Sequence, residues 1–261
     1  MTTQERYEGV IAWFSEHMPA AESELHYENP FQLLVAVVLS AQCTDKRVNM
    51  TTPALFAAFP TPQAMAQASA EEIFPYIRSI SYPNNKARHL ASMARMLCEE
   101  FGGEVPTDLE QLQRLPGVGR KTANVLGAVL WQREVMPVDT HVFRVAERIG
   151  LTTRSKTPLQ TELRLEKGFP GHLLPIAHHW LILHGRYVCT ARAPKCDACG
   201  IAPWCRKHAS DLRAAERGET AARTTGSRTS TTGSGTSTFG SGTSAAGGHP
   251  ARKSRGSRRG K

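Results

Sequence analysis

Apolar positions along the chain recur at helical spacing, and period-two alternation is scarce. Tyr7, Val10, Ile11 and Phe14 make one stripe of a helix reaching about His17, with Thr2 and Glu5 as a capping box at its start and Pro19 ending it. Asn29-Pro30 reads as an N-cap followed by proline at the first helical position. The helix it opens, over 31–39, is apolar almost all round and belongs at the centre of a core. Residues 40–45 form a polar patch at the edge of that core. Short helices are predicted at about 45–58, 62–68 and 70–78, the last two opened by Thr61-Pro62 and by the pair Ser69 and Glu72. Residues 79–86 break the pattern before a long helix over 85–101, which stops at Gly102-Gly103. Thr107 and Glu110 predict a third capping box and a helix ending at Leu115-Pro116-Gly117. Helices follow at about 120–131, 140–149, 158–167 and 171–185. Short helices joined by short loops predict an all-α protein.

Composition narrows the class. A chain of 261 residues with 40% hydrophobic content can bury two modest cores. Its longest uninterrupted apolar run, 33–39, is far shorter than the roughly 18 to 20 residues needed to span a bilayer. Glu5, Arg6, Glu8 and Glu16 occupy the first turns, where a signal peptide would be apolar. A soluble cytoplasmic protein with no membrane partner is expected, nucleoid-associated if bacterial.

The net charge of +9 is concentrated at one end. From residue 218 onward there are eight Lys or Arg against Glu219 alone, a net of +7 that leaves +2 for the remainder. The same stretch is rich in Gly, Ser, Thr, Ala and Arg and nearly devoid of large apolar residues. Such a segment cannot offset its ordering entropy, so 213–261 is predicted to be a disordered basic tail, either a solvated spacer or an electrostatic arm for nucleic acid. The folded part is nearly balanced, and any affinity it has for nucleic acid must come from motifs.

One such motif is Leu115-Pro116-Gly117-Val118-Gly119-Arg120-Lys121. Gly117 and Gly119 supply the backbone freedom for a tight turn, and their bare amides can approach an anion at the positive end of the following helix. Val118 between them can tuck into the core. Gly-Val-Gly alone fits an ordinary connection between antiparallel helices. Flanked by helices and followed by two cations, it reads as a helix-hairpin-helix that grips phosphate through Gly117, Val118, Gly119 and Arg120. Lys121, on the first turn, is either a phosphate contact or a nucleophile whose pKa is lowered by the helix N-terminus, Arg120 and burial. A lysine near 10.4 must fall by roughly three units to attack at neutral pH, a cost of about 4 kcal/mol. Eighteen residues on, Asp139 can cap the helix beginning near Thr140 and can also deprotonate the amine or steady positive charge developing on a sugar.

Six cysteines in a chain of this kind point to metal or reactivity in preference to disulfides. Cys189, Cys196, Cys199 and Cys205 are spaced C-x6-C-x2-C-x5-C, which fits either structural zinc or a [4Fe–4S] cluster. Arg192 and Lys195 lie between the first two and could reach phosphates. Cys98 reads as packing in the helix over 85–101.

These motifs together resemble the endonuclease III family of DNA glycosylases over about residues 5–210. The resemblance rests on 115–124, on Val138-Asp139-Thr140-His141, on 179–186 and on the cysteine loop. It implies a helix-hairpin-helix glycosylase fold: a six-helix barrel domain over 23–133, its hairpin motif over 108–132, beside an iron–sulfur cluster domain assembled from 1–22 and 134–212. It implies a [4Fe–4S] cluster in place of zinc. It implies a monomer acting on double-stranded DNA with damaged bases or abasic sites, which it bends while flipping the damaged nucleotide. Lys121 would attack C1′ of an oxidised pyrimidine nucleotide with help from Asp139, and β-elimination would then cut the strand 3′ to the abasic site. Gln42 and Ile80 resemble the residues that fill the gap left by the flipped base. Ser81-Tyr82-Pro83 departs from the family's Gly-Leu-Tyr, which makes Tyr82 a second candidate for the wedge.

The rival readings are an adenine-mismatch glycosylase, which usually lacks the lysine and carries a glutamate in the first core helix, and a noncatalytic helix-hairpin-helix DNA-binding module. An electron carrier is a third.

Overall fold

The computed structural model describes the backbone through Gly226 and side chains through Gly218; residues 227–261, most of the predicted tail, lie outside the described residues. Twelve α-helices and no strands are present among the described residues. They are α1 (Thr3–His17), α2 (Pro30–Ser40), α3 (Asp45–Ala58), α4 (Pro62–Ala66), α5 (Ala70–Ile77), α6 (Pro83–Glu100), α7 (Leu109–Arg114), α8 (Arg120–Trp131), α9 (Thr140–Ile149), α10 (Pro158–Gly168), α11 (Leu174–Tyr187) and α12 (Arg206–Gly226).

The caps explain most of the boundaries. Thr2 and Ser69 form the predicted capping boxes with Glu5 and Glu72. Asn29, Thr44, Thr61 and Thr157 each accept a backbone N–H at N3 of the helix they open. The third predicted box does not form. Asp108, not Thr107, caps α7, its carboxylate accepting from the amides of both Glu110 and Gln111. An ionised acceptor taking two amides outcompetes a hydroxyl taking one. The helix predicted over 171–185 begins as a single 3-10 turn, Gly171–Leu173, and continues as α11. α12 carries helical backbone through 213–226, where the sequence predicted the start of a disordered tail.

Residues Met1–Glu216 form the first compact unit of the chain. The first holds two apolar clusters. One, between Leu25 and Leu126, is centred on α2, which is buried along nearly its whole length. The other gathers Tyr7, Val10 and Phe14 of α1 with residues between Met136 and Ile201. Phe14 stacks on Trp180 at 5.6 Å, and Trp180 donates its indole N–H to the Met18 carbonyl at 2.8 Å. Burying Phe14 and Trp180 completely contributes a few kcal/mol each, enough to bring α1 back onto distant sequence. The hairpin joins α7 to α8 along the first cluster, and Asp139 begins α9 in the second. The seam between the clusters therefore holds both.

Candidate active site

The hairpin turns at Gly117, whose φ of +84° lies in the left-handed region, and a Cβ there would press on His89 at 3.1 Å. Val118 is buried and donates its amide to the Leu115 carbonyl at 3.0 Å, so the turn is pinned to the core. Gly119 differs from the sequence reading. Its φ is −95°, which any residue adopts, and a Cβ would meet nothing within 4 Å. Its bareness does not serve the turn; it leaves the uncapped N-terminus of α8 open to an approaching group.

Arg120 is not presented as a free cation. Its Nε and Nη2 donate to Oε1 of Glu162 on α10 at 2.9 and 2.6 Å, and that carboxylate is almost fully buried. The hydrogen bonds and charge of Glu162 raise the Arg120 pKa, with Glu166 adding to them. The pair braces the start of α8 against α10.

Lys121 and Asp139 line one narrow cleft together with Ser40, Asp45, His178, His179 and Arg186. Lys121 is exposed by area because the cleft is open, but protein surrounds its ammonium closely enough that desolvation lowers its pKa. Asp139 and then Asp45 oppose that shift, and Arg186 reinforces it. Asp139 is also the N-cap of α9, with Oδ1 accepting from His141 and Val142 at 2.8 Å each. Capping fixes the carboxylate without protonating it, so the same side chain can serve a neighbouring amine.

Three features of the cleft were missed in the sequence. His178, 1% exposed, is held by the Pro137 carbonyl at 2.8 Å. Burial, then His179 and Lys121, keep it well below the usual histidine range and therefore neutral. Arg186 pairs with Asp45 at 2.6 Å and with Glu24, whose Oε1 also accepts from Tyr187 at 2.5 Å. Glu24 and Asp45 are shared with a wider, open cleft beside residues 17–26 and α3. Arg186 lies in the motif at 179–186 and Asp45 in the polar patch at 40–45, but no local signal joins positions 141 apart.

Of the expected gap-filling residues, Gln42 and Tyr82 are exposed. Ile80 is not: it is 2% exposed and packs in the first cluster, because it falls on the buried side of the turn that closes on the Ile77 carbonyl.

Cys189, Cys196, Cys199 and Cys205 all line one small pocket, walled by Ile149, Val188, Pro194, Ile201 and Ala202. Arg148 donates to Cys189 Sγ at 3.5 Å and to the Thr190 carbonyl at 2.7 Å. Among the described residues, no three His, Cys, Asp or Glu are drawn together as a single ion would require. Four thiols facing one cavity are a soft donor set of the kind that holds a metal group. Arg192 and Lys195 are exposed on the same loop.

Residues 35–171 match the HhH-GPD superfamily of base excision DNA repair proteins. Endonuclease III of Rickettsia conorii is 47% identical over 196 residues, covering 75% of this chain and 93% of the relative. The chain belongs to the endonuclease III family. Endonuclease III of Escherichia coli is 42% identical over 196 residues, 75% of this chain and 92% of that one. A solved structure of a trapped endonuclease III–DNA covalent intermediate matches with a TM-score of 0.77 at 40% identity, covering 81% of this chain and all of that one. A thermostable thymine-DNA glycosylase, at 21% identity and a TM-score of 0.68, shares the fold. This endonuclease III family member is an all-α base excision repair enzyme, a DNA glycosylase that is also an abasic-site lyase. No helix among the described residues is long and apolar enough to cross a membrane.

Proposed function

We propose that the enzyme removes oxidised pyrimidines from double-stranded DNA as a cytoplasmic monomer, with Lys121 as its nucleophile. The observation carrying this reading is the meeting of Lys121 and Asp139 in one cleft that depresses the lysine pKa. Lys121 gives a proton to Asp139, its lone pair attacks C1′ as the C1′–N bond breaks, and the departing base carries off the proton that Asp139 took. The amine–sugar adduct opens to a Schiff base. Loss of a C2′ proton then expels the 3′ phosphate by β-elimination, and hydrolysis of the imine frees Lys121.

The Gly119 and Arg120 amides, next to the Val118 N–H that the Leu115 carbonyl already holds, take a phosphate, with the Arg120 side chain bracing the hairpin, and Arg192 and Lys195 contact the backbone further along. Gln42 and Tyr82 fill the space left by the flipped nucleotide. Cys189, Cys196, Cys199 and Cys205 would hold a [4Fe–4S] cluster, which when bound would cross-link the loop bearing Arg192 and Lys195. Visible charge-transfer absorption, lost on substituting Cys196 and Cys199 by serine, checks that assignment. The adenine-mismatch reading is disfavoured because α2 carries no carboxylate.

Borohydride reduction in the presence of duplex DNA containing thymine glycol should yield a covalent adduct with the native enzyme and none with Lys121→Ala. An adduct with that variant would remove Lys121 from the mechanism.

A further inference from the structure

Gln42 and Tyr82 share a backbone that side chains seldom adopt. Their φ angles are +55° and +56°, in the left-handed region, where a non-glycine residue costs about 1 kcal/mol or more. Gln42 follows α2 and Tyr82 is the N-cap of α6, which makes no side-chain cap bond. Tyr82 is 62% exposed, so little packing of its own ring holds it. Two strained, exposed residues on separate loops need something else to fix them.

Lys86 meets that need. It lies one turn into α6, its amide donating to the Tyr82 carbonyl at 3.1 Å. Its side chain is 6% exposed, and Nζ donates to the carbonyls of Leu39 at 2.8 Å and Ala41 at 2.6 Å. These carbonyls belong to the C-terminal end of α2, where the helix leaves acceptors without intrahelical partners and a cation is favoured by the dipole. A buried ammonium is costly in itself, and desolvation lowers its pKa. Ser81 adds a second tie, its Oγ donating to the Gln42 carbonyl at 2.8 Å. The chain leading into Gln42 is thus bonded by Lys86, Gln42 itself by Ser81, and the residues making those bonds flank Tyr82.

We propose that Lys86 is a positioning residue for the Gln42–Tyr82 pair: it sets their spacing before DNA binds and so governs extrusion of the nucleotide, leaving the chemistry at C1′ to Lys121. This rests on reading Gln42 and Tyr82 as the gap-filling residues. Side chains that enter a duplex must otherwise be ordered at the moment the base unstacks, adding their entropy to the cost of unstacking.

Two substrates separate extrusion from chemistry. One is a duplex with thymine glycol opposite adenine; the other is a single-stranded oligonucleotide with a preformed abasic site, which has no partner strand and no gap to fill. Lys86→Met keeps the stem and deletes the donors. It is expected to slow single-turnover excision from the duplex about tenfold while borohydride trapping on the single strand stays within about twofold of native. Lys86→Arg, which keeps donors, should recover most of the duplex rate. An equal loss on both substrates, or no loss on the duplex, overturns the proposal. If Lys86→Met does not fold, Ser81→Ala decides, because that half-buried hydroxyl can be removed without emptying the core; a duplex-specific loss supports the tie and its absence overturns it. Tyr82→Ala tests the premise separately. If it leaves duplex excision intact, the gap-filling reading fails; if it slows excision and Lys86→Met does not, only the positioning role fails.

Discussion

His178 donates from Nδ1 to the carbonyl of Pro137 at 2.8 Å. A carbonyl can only accept, so the bond fixes the tautomer and ties α11 to the strand of chain that delivers Asp139 two residues later. His178 is buried beside Lys121 and neutral, so it anchors the loop without adding a second cation to the cleft. Replacing it with Phe strands the Pro137 carbonyl, at a cost of about 1–3 kcal/mol. The same change should slow borohydride trapping about tenfold by loosening Asp139. His178→Gln, which keeps a donor, should recover much of both losses. Equal trapping rates for the native enzyme and His178→Phe would show that the anchor is irrelevant to the reaction.

Stability should fall in mild acid. His178 and His179 are neutral in the fold, His179 with its pKa lowered to about 4 by burial and then by Arg186. Unfolded, each titrates near 6.5. Between these values the unfolded chain binds protons that the folded chain refuses. The contribution is therefore complete above pH 6.5 and is lost as pH falls toward 4, at up to about 1.4 kcal/mol per pH unit for each group. Urea unfolding across that range measures the slope, and His179→Gln should reduce it.

The pH dependence of Schiff-base formation carries the sign of the lysine's surroundings. The reactive form is the free amine, so trapping rises with pH through the Lys121 pKa, which lies below that of an ordinary lysine. Asp139 opposes that lowering. Asp139→Asn keeps a side-chain oxygen for the α9 cap but removes the charge, so the profile should move to lower pH even as the maximal rate falls by about a hundredfold for want of a base. A profile that moved upward would contradict the arrangement.

Arg120 separates the sequence reading from the structural one. A free phosphate contact would, when removed, reduce the salt slope of DNA binding by about one unit. Paired to Glu162, Arg120 should leave that slope nearly unchanged in Arg120→Ala, while the stranded, nearly buried carboxylate costs about 2 kcal/mol of stability, discounted because the guanidinium is half exposed. Glu162→Gln should cost less, since it leaves no buried charge.

At the start of α7, Asp108→Ala should cost about 1 kcal/mol and Thr107→Ala almost nothing, as thermal unfolding would report.

What the sequence determined by itself was whatever rests on local periodicity and spacing. Caps at Thr2, Asn29, Thr61 and Ser69 and the all-apolar α2 were legible because a helix start involves atoms within four residues of one another. The hairpin turn, and the gathering of Lys121 with Asp139 and of the four cysteines with one another, were legible because each motif spans only a short stretch of chain. The tertiary structure decided what depends on atoms remote in sequence. Arg120 reads as a free cation until α10 brings Glu162 to it, 42 residues away. Ile80 and Tyr82 lie within one turn, and only packing shows that the first faces the core and the second the solvent. Gly119 reads like Gly117 until its ordinary φ shows that it spares space and not strain. Lys86 looks like one more surface cation on α6 until its ammonium is found under the end of α2. Periodicity ranks faces by their average polarity, and a buried ion or a tied loop is set by a single partner, which no average along the chain contains.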